Sequence, residues 1–390
     1  VIGKVLASNK RQNSLLNGID NLFVISTIFL LVGGLVMLAS ASMPIAVKNL
    51  GDPYGYIYKQ LTSIALGLSA GLVAFLIPSR IWEKFGILLP ILAIALLTLV
   101  FIPDIGVTAN GATRWIKIGP LPNIQVVDPA RLLLLIYISG YCYRQQEALS
   151  SDFMSFVKPM IFILPACALL LGQPDFGSTV IILSVAAGLF FIAGFKIRYF
   201  LALIIILSLA FAFLIYIEPY RMSRLAGFLE PWKDALGAGY QLTNSLIAIG
   251  SGGIFGVGLG ESVQKLFYLP EAHTDFIFAI IAEELGLIGT ILILSLYGLL
   301  ISRIFVIGFK AIGSALIFQG YLCISIGIWL SLQVIINLGV NMGLLPTKGL
   351  TLPLISYGSS SIAITLITLA IVLRIGCENP QPKKNLRTSG

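Results

Sequence analysis

Residues 276–301 read FIFAIIAEELGLIGTILILSLYGLLI, and this stretch indicates which kind of fold the chain adopts. Apart from Glu283 and Glu284 it contains no charged side chain, and about 20 apolar residues suffice for a helix to cross a bilayer. Two adjacent carboxylates are costly at that depth, so they should face the protein interior or a cavity. The stretch therefore predicts a membrane-spanning helix whose two carboxylates face the inside of the protein.

The composition of the whole chain agrees with this stretch. Of the 390 residues 57% are hydrophobic and 11% are charged, whereas charged residues make up about 25% of ordinary soluble domains. The mean hydropathy is +0.97. These values exclude a soluble globular enzyme, a disordered chain and a fibrous protein, and they are typical of a polytopic membrane protein.

Ten apolar runs are candidates for membrane spans. Because each stays apolar rather than alternating with polar residues, they predict helices, and the fold class is an all-α polytopic membrane protein with about ten transmembrane helices. Nine or eleven spans are the alternatives. The ten runs are 22–42, 60–78, 85–103, 124–143, 159–173, 177–194, 199–217, 276–301, 312–338 and 354–373.

Charge placement predicts the topology. The even-numbered connections and both tails hold most of the 25 Lys and Arg residues, which by the positive-inside rule places both termini in the cytoplasm. One transmembrane domain, 22–375, then lies between a cytoplasmic segment, 1–21, and a polar cytoplasmic tail, 376–390. Two outer loops are long, 104–123 and 218–274, and the larger one joins helices 7 and 8. Sites tend to lie in such loops.

The motif LPEAHTDFIFA, residues 269–279, holds the only histidine of the chain. Asp275 lies where the large outer loop enters a span, and partial desolvation there should raise its pKa toward a value useful for a general base. The alternative is that Thr274 or Asp275 caps the helix, where the helix dipole favours an acid. His273 by itself is typical of a hydrogen-bonding residue at the membrane interface.

The motif QVVDPARL, residues 125–132, predicts a helix start, with Asp128 as N-cap and Pro129 in the first helical position. Arg131 begins an apolar span and should need a partner, and Asp128 lies three residues away. One interpretation is a local ion pair at the helix start. The other is that Arg131 faces an anionic group of a substrate.

The partners of Glu283 and Glu284 are less easily predicted. No basic residue falls within the apolar core of another span, so protonation or bonds to polar span residues such as Gln319 or Gln333 should compensate them. A proton pathway is the sharper alternative.

Two glycine- or serine-rich segments also need an interpretation. Residues 250–260, GSGGIFGVGLG, lack the context and spacing of a nucleotide-binding loop, and they are better explained as a tight, partly membrane-embedded turn. Residues 355–361, ISYGSSS, place small residues in the last span, which predicts close helix packing. The cysteines show no CxxC spacing, and we predict no metal site made by the protein alone.

Several motifs together resemble the SEDS family, the bacterial shape, elongation, division and sporulation proteins, over about residues 20–375. They are EPYR at 218–221, GYQL at 239–242, VQKL at 263–266, PEAHTDFIF at 270–278 and GLTLPLISYG at 349–358. PTKG at 346–349 and ASMP at 41–44 resemble the division branch rather than the elongation branch.

This resemblance implies a ten-span peptidoglycan glycosyltransferase of the bacterial inner membrane, located at the division septum. It implies that the enzyme polymerises lipid II at the outer membrane face, where it contacts membrane lipid and undecaprenyl-pyrophosphate-linked glycan. The implied protein partners are a class B penicillin-binding protein, which is the septal transpeptidase, and other division proteins. Nucleic acid is not an expected partner.

The resemblance also implies roles for individual residues. The catalytic aspartate of the family matches Asp275, and the acid and base that open the fourth span match Asp128 and Arg131. The family has Gln-Pro-Ser-Glu and then Lys there, whereas this chain has Asp for Glu, Arg for Lys and Val126 for Pro, which changes the reach of both charges. The expected substrate-binding residues are Asp128, Arg131, Arg221, Lys265, Glu271, His273 and Lys348.

The expected reaction is a single inverting displacement in which Asp275 removes the proton of the acceptor hydroxyl and undecaprenyl pyrophosphate leaves. Cations should stabilise the leaving pyrophosphate, from Arg131, Arg221, Lys265, Lys348 or a divalent ion such as Mg²⁺ or Mn²⁺. No other cofactor is expected. The alternatives are a lipid II flippase and a non-catalytic division scaffold.

Overall fold

The computed structural model describes most of the chain as a helical membrane protein. The described residues are 18–109, 112–117, 123–148, 154–196, 198, 201, 204–205, 227–347 and 349–379. The helices are α1 Asn21–Leu50, α2 Gly55–Leu76, α3 Ser79–Lys84, α4 Leu88–Leu99, α5 Val127–Arg144, α6 Met154–Gly172, α7 Phe176–Ile192, α8 Tyr240–Ser251, α9 Ile277–Gly313, α10 Ile317–Asn341 and α11 Ser359–Glu378.

Nine of the ten predicted runs lie in helices of the described chain, and the tenth, 199–217, lies largely outside the described residues. Six helices, α1, α2, α6, α9, α10 and α11, are long and apolar enough to cross a membrane, and α4 and α7 are shorter apolar helices. The prediction of a polytopic helical membrane protein is therefore confirmed. The number of ten spans stays a prediction.

The helices α2, α5, α7, α9 and α11 begin at one end of the protein, which we call the site end. Side-chain hydrogen bonds join α2 to the loop before α11 at 3.1 Å, α11 to α5 at 2.7 Å, and α5 to α7 at 3.1 Å. The rings of Tyr56 in α2 and His273, just before α9, lie 4.8 Å apart between centroids. The polar groups of five helix starts are thereby gathered in one place.

The opposite end joins the two ends of the described chain. The Asp20 carboxylate accepts from the Phe23 N–H at 3.1 Å, which caps α1, and from the Arg303 Nε–H at 3.0 Å. The Glu378 carboxylate at the end of α11 accepts from the Ser79 N–H at 3.1 Å. A Cβ at Gly18 would lie 2.6 Å from the Cys377 Cα, so the start of α1 and the end of α11 lie at the same end of the protein.

Helices α5 and α10 form the centre of the bundle, and most of their residues are buried. Around them, small residues let neighbouring helices approach closely. A Cβ at Gly67 in α2 would lie 2.8 Å from the Ala363 Cα in α11, and one at Gly308 in α9 would lie 3.0 Å from the Cys323 Cβ in α10. This is the packing that replaces the hydrophobic effect between helices in lipid.

Three features of the segments between and after the spans were not part of the prediction. Strands β1 Gly106–Ala109 and β2 Ala112–Ile116 lie in the outer loop 104–123 and form an antiparallel sheet with β3 Ile124–Gln125. The larger outer loop contains α8. The tail from 376 begins inside α11, where Cys377 is buried, and residues 380–390 lie outside the described chain.

Helix α9 is broken at Gly286, which has φ 64° and ψ −162°, although its sequence predicts one continuous span. Before the break, the carbonyl oxygens of Glu283 and Glu284 accept hydrogen bonds from N–H groups of the glycine segment, residues 252–260, at 2.9 and 3.1 Å. After the break, the N–H groups of Leu287 and Ile288 donate to carbonyl oxygens of the same segment at 3.0 and 3.2 Å. The exchange satisfies backbone groups that lipid could not, and it supports the interpretation of the glycine segment as a tight turn.

Candidate active site

Asp275 lies half-buried at the site end, two residues before α9 begins. The N-cap position of α9 is Phe276, so neither Thr274 nor Asp275 occupies it, contrary to the capping alternative. The Asp275 carbonyl oxygen accepts from the amide groups of Asn337 at 2.9 Å and Asn341 at 3.0 Å, both in α10. Two side chains of a buried helix therefore fix the backbone that carries the carboxylate.

Gly349 lies directly against the Asp275 carboxylate. A Cβ at position 349 would stand 2.9 Å from Asp275 Oδ2, which is closer than side-chain carbons normally approach. The loop before α11 thus forms one wall of the place where the carboxylate sits, and only a residue without a side chain fits there undisturbed.

We expect Gly349→Ala to lower the rate of the reaction that uses Asp275 by about 10- to 100-fold, because a shift of about 1 Å in a reacting group can cost 10²-fold. The melting temperature should change little, since the carboxylate can move aside. Gly250→Ala is the control, because a Cβ at this position of α8 meets nothing within 4 Å. Equal reaction rates for the two variants would contradict the claim that Gly349 leaves room for the Asp275 carboxylate.

His273 is buried inside the protein, with 5% of its surface exposed. Its ring lies 4.8 Å from the Tyr56 ring and 5.8 Å from the Tyr357 ring between centroids, and its carbonyl oxygen accepts from the Tyr357 N–H at 3.0 Å. Burial lowers the pKa of the imidazole, and the nearby Glu271 carboxylate opposes part of this shift. At neutral pH His273 is therefore uncharged, and any contact with substrate would be a neutral hydrogen bond.

The lowered pKa of His273 predicts a loss of stability in acid. The unfolded chain binds the proton at its ordinary pKa of 6.5, whereas the folded chain binds it only at lower pH. The free energy of unfolding should therefore fall as the pH drops from 6.5 through the folded-state pKa. Melting temperatures between about pH 7.5 and about pH 5 should fall less for His273→Gln than for the wild type. An equal fall in melting temperature for His273→Gln and the wild type would contradict the lowered pKa of His273.

Glu271 and Thr274 shape the turn that leads to Asp275. The Thr274 hydroxyl donates to Glu271 Oε2 at 2.6 Å, and the Thr274 and Phe276 N–H groups donate to the Glu271 carbonyl oxygen. Glu271 has φ 56°, a left-handed conformation that is uncommon outside glycine. The residue therefore orders this turn, and its predicted contact with substrate stays a prediction.

Asp128 and Arg131 do not form the predicted local ion pair in the described chain. Helix α5 begins at Val127, so Asp128 lies in its first turn rather than at the N-cap, and its Oδ2 accepts from the Ser360 hydroxyl at 2.7 Å. Ser360 thus joins α11 to α5, a role that the sequence did not indicate.

The Arg131 guanidinium reaches toward other helices instead. Its Nη2 donates to the Ser178 hydroxyl at 3.1 Å and its Nη1 to Gln333 Oε1 at 3.3 Å, while the Trp329 ring centroid lies 5.2 Å away. Its Nε–H has no hydrogen-bond partner among the described residues, although only 2% of Arg131 is exposed. A buried donor without a partner is unfavourable, so Arg131 retains capacity to bind an anion.

A polar stripe on α10 connects these two places, and it was missed from the sequence. Gln333 Nε2 donates to the Thr351 carbonyl oxygen at 2.9 Å, and Asn337 Nδ2 donates to the Leu350 carbonyl oxygen at 2.6 Å. Gln333 therefore links Arg131, and Asn337 links Asp275, to adjacent residues of one loop. The spacing of four between Gln333, Asn337 and Asn341 in an apolar span places them on one helix face and was a readable signal.

Glu283 and Glu284 find partners that we did not predict. Glu284 Oε1 pairs with Lys265 Nζ at 2.7 Å, and Glu283 Oε1 accepts from the Val263 N–H at 3.0 Å. Gln319 and Gln333, the expected partners, bond elsewhere. The expectation was wrong because Lys265 belongs to the outer loop, not to a span, and that loop folds back beside α9.

The structure thus brings some of the predicted site residues together and leaves others undescribed. Asp275, Glu271 and His273 share one turn, and Asp128 and Arg131 share the start of α5. Arg221 and Lys348 lie outside the described residues. No group of three or more His, Cys, Asp or Glu side chains that could hold a metal ion occurs within the described part of the chain.

Comparison with known proteins identifies the family. The profile of the cell cycle proteins FtsW, RodA and SpoVE matches residues 20–381. A probable peptidoglycan glycosyltransferase FtsW from Thioalkalivibrio sulfidiphilus is 48% identical over 369 residues, which cover 95% of this chain and 92% of the relative. The protein of that name from Legionella pneumophila is 46% identical, with 94% of this chain and 93% of the relative covered.

Solved structures agree with this match. A chain from the study "Structural coordination of polymerization and crosslinking by a peptidoglycan synthase complex" aligns with a TM-score of 0.76 at 28% identity, covering 93% of this chain and 99% of that chain. Rod shape determining protein RodA of Thermus thermophilus aligns with a TM-score of 0.68 at 28% identity, and the alignment covers 93% of this chain and 98% of RodA. The chain belongs to the SEDS family of FtsW, RodA and SpoVE, on the FtsW side of that family.

Proposed function

We propose that this protein is a peptidoglycan glycosyltransferase that polymerises lipid II into glycan strands at the outer face of the bacterial cytoplasmic membrane during cell division. The observation that carries the proposal is Asp275, a half-buried carboxylate at the site end whose backbone two asparagine amides hold. The names of the relatives, probable peptidoglycan glycosyltransferase FtsW, support the same activity.

The reaction we propose is one inverting displacement. The Asp275 carboxylate takes the proton of the acceptor sugar hydroxyl, and that oxygen forms a bond to the anomeric carbon of the donor. The bond from this carbon to the pyrophosphate oxygen breaks, and undecaprenyl pyrophosphate leaves with the electron pair. One base suffices, unlike in a glycosidase with two carboxylates, because the leaving group is already good.

Charge that develops on the pyrophosphate needs cations. Arg131 is suited to this role because its buried guanidinium retains a donor without a partner among the described residues. Arg221 and Lys348 are further proposed contacts. A Mg²⁺ or Mn²⁺ ion would be held mainly by the pyrophosphate, since such ions often bind one or two carboxylates together with substrate phosphates.

The placement in the membrane is also part of the proposal. Ten spans with both termini in the cytoplasm would put the site end, and with it Asp275, at the outer face. A class B penicillin-binding protein would then crosslink the strands at the division septum, alongside other division proteins. The structural similarity to a chain from a peptidoglycan synthase complex supports such a partnership.

The flippase alternative rested on Glu283 and Glu284 as a proton pathway. Both carboxylates are engaged by the outer loop, Glu283 by Ser262 and Val263 and Glu284 by Lys265, which leaves that alternative without a specific observation in its favour. The scaffold alternative predicts that the carboxylate of Asp275 is dispensable.

Vesicles that contain the purified protein and fluorescent lipid II separate polymerisation from transport. The proposal predicts that glycan polymer accumulates while lipid II changes leaflets no faster than in protein-free vesicles. Rapid exchange between the leaflets without polymer, with the transpeptidase partner present, would instead identify a flippase. If no polymer forms and lipid II does not exchange between the leaflets, the result would favour a scaffold.

A further inference from the structure

Lys265 is a buried lysine whose ammonium group is fully occupied by protein partners. Its Nζ lies 2.7 Å from Glu284 Oε1, 2.8 Å from the Ser40 hydroxyl oxygen and 2.7 Å from the Gly260 carbonyl oxygen. An ammonium group has three donors, so these contacts use all of them. The Ser40 hydroxyl in α1 also lies 2.6 and 2.8 Å from the two Glu284 carboxylate oxygens.

This ion pair closes a segment of the chain around Asp275. Lys265 precedes Asp275 by ten residues, and Glu284 follows it by nine. The Leu269 N–H of this segment donates to the carbonyl oxygen of Gln264, the residue just before it, at 2.9 Å, and the Leu269 side chain is buried. The backbone between the ion pair and the Asp275 carboxylate is therefore restricted in its movement.

Two further sets of bonds attach the outer loop just before this segment, residues 252–263, to α9. Glu283 binds the N–H of Val263 and the hydroxyl of Ser262, and the glycine segment 252–260 exchanges backbone hydrogen bonds with α9 across Gly286. The outer loop from 252 onward and the part of α9 before Gly286 are thus joined as one unit, and Ser40 is one of the side chains that link it to α1.

We propose that Lys265 and Glu284 are positioning residues that hold Asp275 in place, and that Lys265 does not bind the substrate pyrophosphate. This inference rests on the proposed function, in which Asp275 is the base. It follows from the bonds: the three donors of the buried Lys265 ammonium are all used inside the protein, whereas Arg131 keeps a donor without a partner among the described residues. Removing one partner leaves an unpaired buried charge that rearranges its surroundings, whereas neutralising both leaves none.

The test is a double-mutant cycle with Lys265→Met, Glu284→Gln and the double variant, in which kcat and KM for lipid II polymerisation and the melting temperature are measured. Each single variant should lose at least about tenfold in kcat with KM little changed, because the base is misplaced. The double variant should recover most of the lost kcat. Such coupling is expected only for residues that act on each other.

A different pattern would overturn the inference. If Lys265 binds the pyrophosphate, the double variant will be as impaired as Lys265→Met and its KM will rise. Unchanged kcat in both single variants would equally contradict a positioning role. The exposed ion pair of Lys233 and Glu230 supplies the control, and Lys233→Met should leave kcat and KM unchanged.

Two arrangements keep the test decisive. If a single variant does not fold, the test uses Ser40→Ala and the double variant instead, since neither leaves a buried charge without its partner. Ser40→Ala should lower kcat with an unchanged KM, and a normal kcat would count against the proposal. Asp275→Asn run in parallel tests the proposed function itself, because polymer made by that variant at the wild-type rate would refute the base, whatever the Lys265 and Glu284 variants do.

Discussion

Replacing Asp275 by Asn should lower the rate of glycan polymerisation by about 10²–10⁴-fold, the usual contribution of a positioned general base. The amide has the size of the carboxylate but cannot accept the proton of the acceptor hydroxyl. The bonds that Asn337 and Asn341 make go to the backbone carbonyl of residue 275, so the exchange leaves them in place. Folding and membrane insertion should therefore be unchanged.

The measurement is the initial rate of polymer formation from lipid II, with the melting temperature of each preparation alongside. Asp234→Asn makes the same chemical change at an exposed carboxylate of the larger outer loop and should keep the wild-type rate. If Asp275→Asn polymerised as fast as Asp234→Asn, Asp275 would not be the base.

The second large effect concerns stability, and its site is Gly286. The backbone there, φ 64° and ψ −162°, belongs to a region that only glycine adopts readily, at a cost of about 1–3 kcal/mol for other residues. A Cβ would also stand 2.3 Å from the Gly256 nitrogen, and forcing such a shift costs about another 1–3 kcal/mol. Gly286→Ala should therefore lower the free energy of unfolding by several kcal/mol or prevent folding.

Gly298→Ala in the same helix is the matched control. Residue 298 is exposed, and a Cβ there meets nothing within 4 Å. This exchange should stabilise the helix by about 0.5–1 kcal/mol, as alanine does relative to glycine in a helix interior. Thermal unfolding of the two variants compares them directly. A Gly286→Ala variant as stable as Gly298→Ala would show that the break in α9 is not needed.

The spans could be predicted because their signal is local. Runs of apolar residues are readable in one dimension, and nine of the ten lie in described helices. The break in α9 was not readable, because residues 276–301 are apolar on both sides of Gly286. Its cause lies about 30 residues earlier, in a glycine segment whose backbone replaces the missing helical bonds. Hydropathy carries no information about such an exchange.

The sequence singled out residues of the candidate site, whose roles stay predictions, but it did not indicate their hydrogen-bond partners. Asp275, His273 and Arg131 were found because each is a polar residue at the edge of an apolar run. Their partners come from distant parts of the chain, as with Arg131 and Gln333, which are 202 positions apart. Lys265 was assigned to substrate for the same reason, since nothing local indicates that Ser40 lies beside it.

The polar stripe of α10 is the exception, because it could have been predicted. Gln333, Asn337 and Asn341 recur every fourth residue inside an apolar span, and such residues should face protein partners. Their hydrogen bonds hold both the Asp275 backbone and the loop 349–351 that Gly349 begins.

The most direct test of the central claim is polymer formation by the purified protein with the proposed partner, a class B penicillin-binding protein, together with lipid II and Mg²⁺ or Mn²⁺. Wild type and Asp275→Asn are compared in the same preparation, and the length distribution of the glycan strands is measured. We expect long strands from the wild type and at least about 10²-fold less polymer from the variant in the same time. Strands of equal length and amount from both proteins would contradict the central claim.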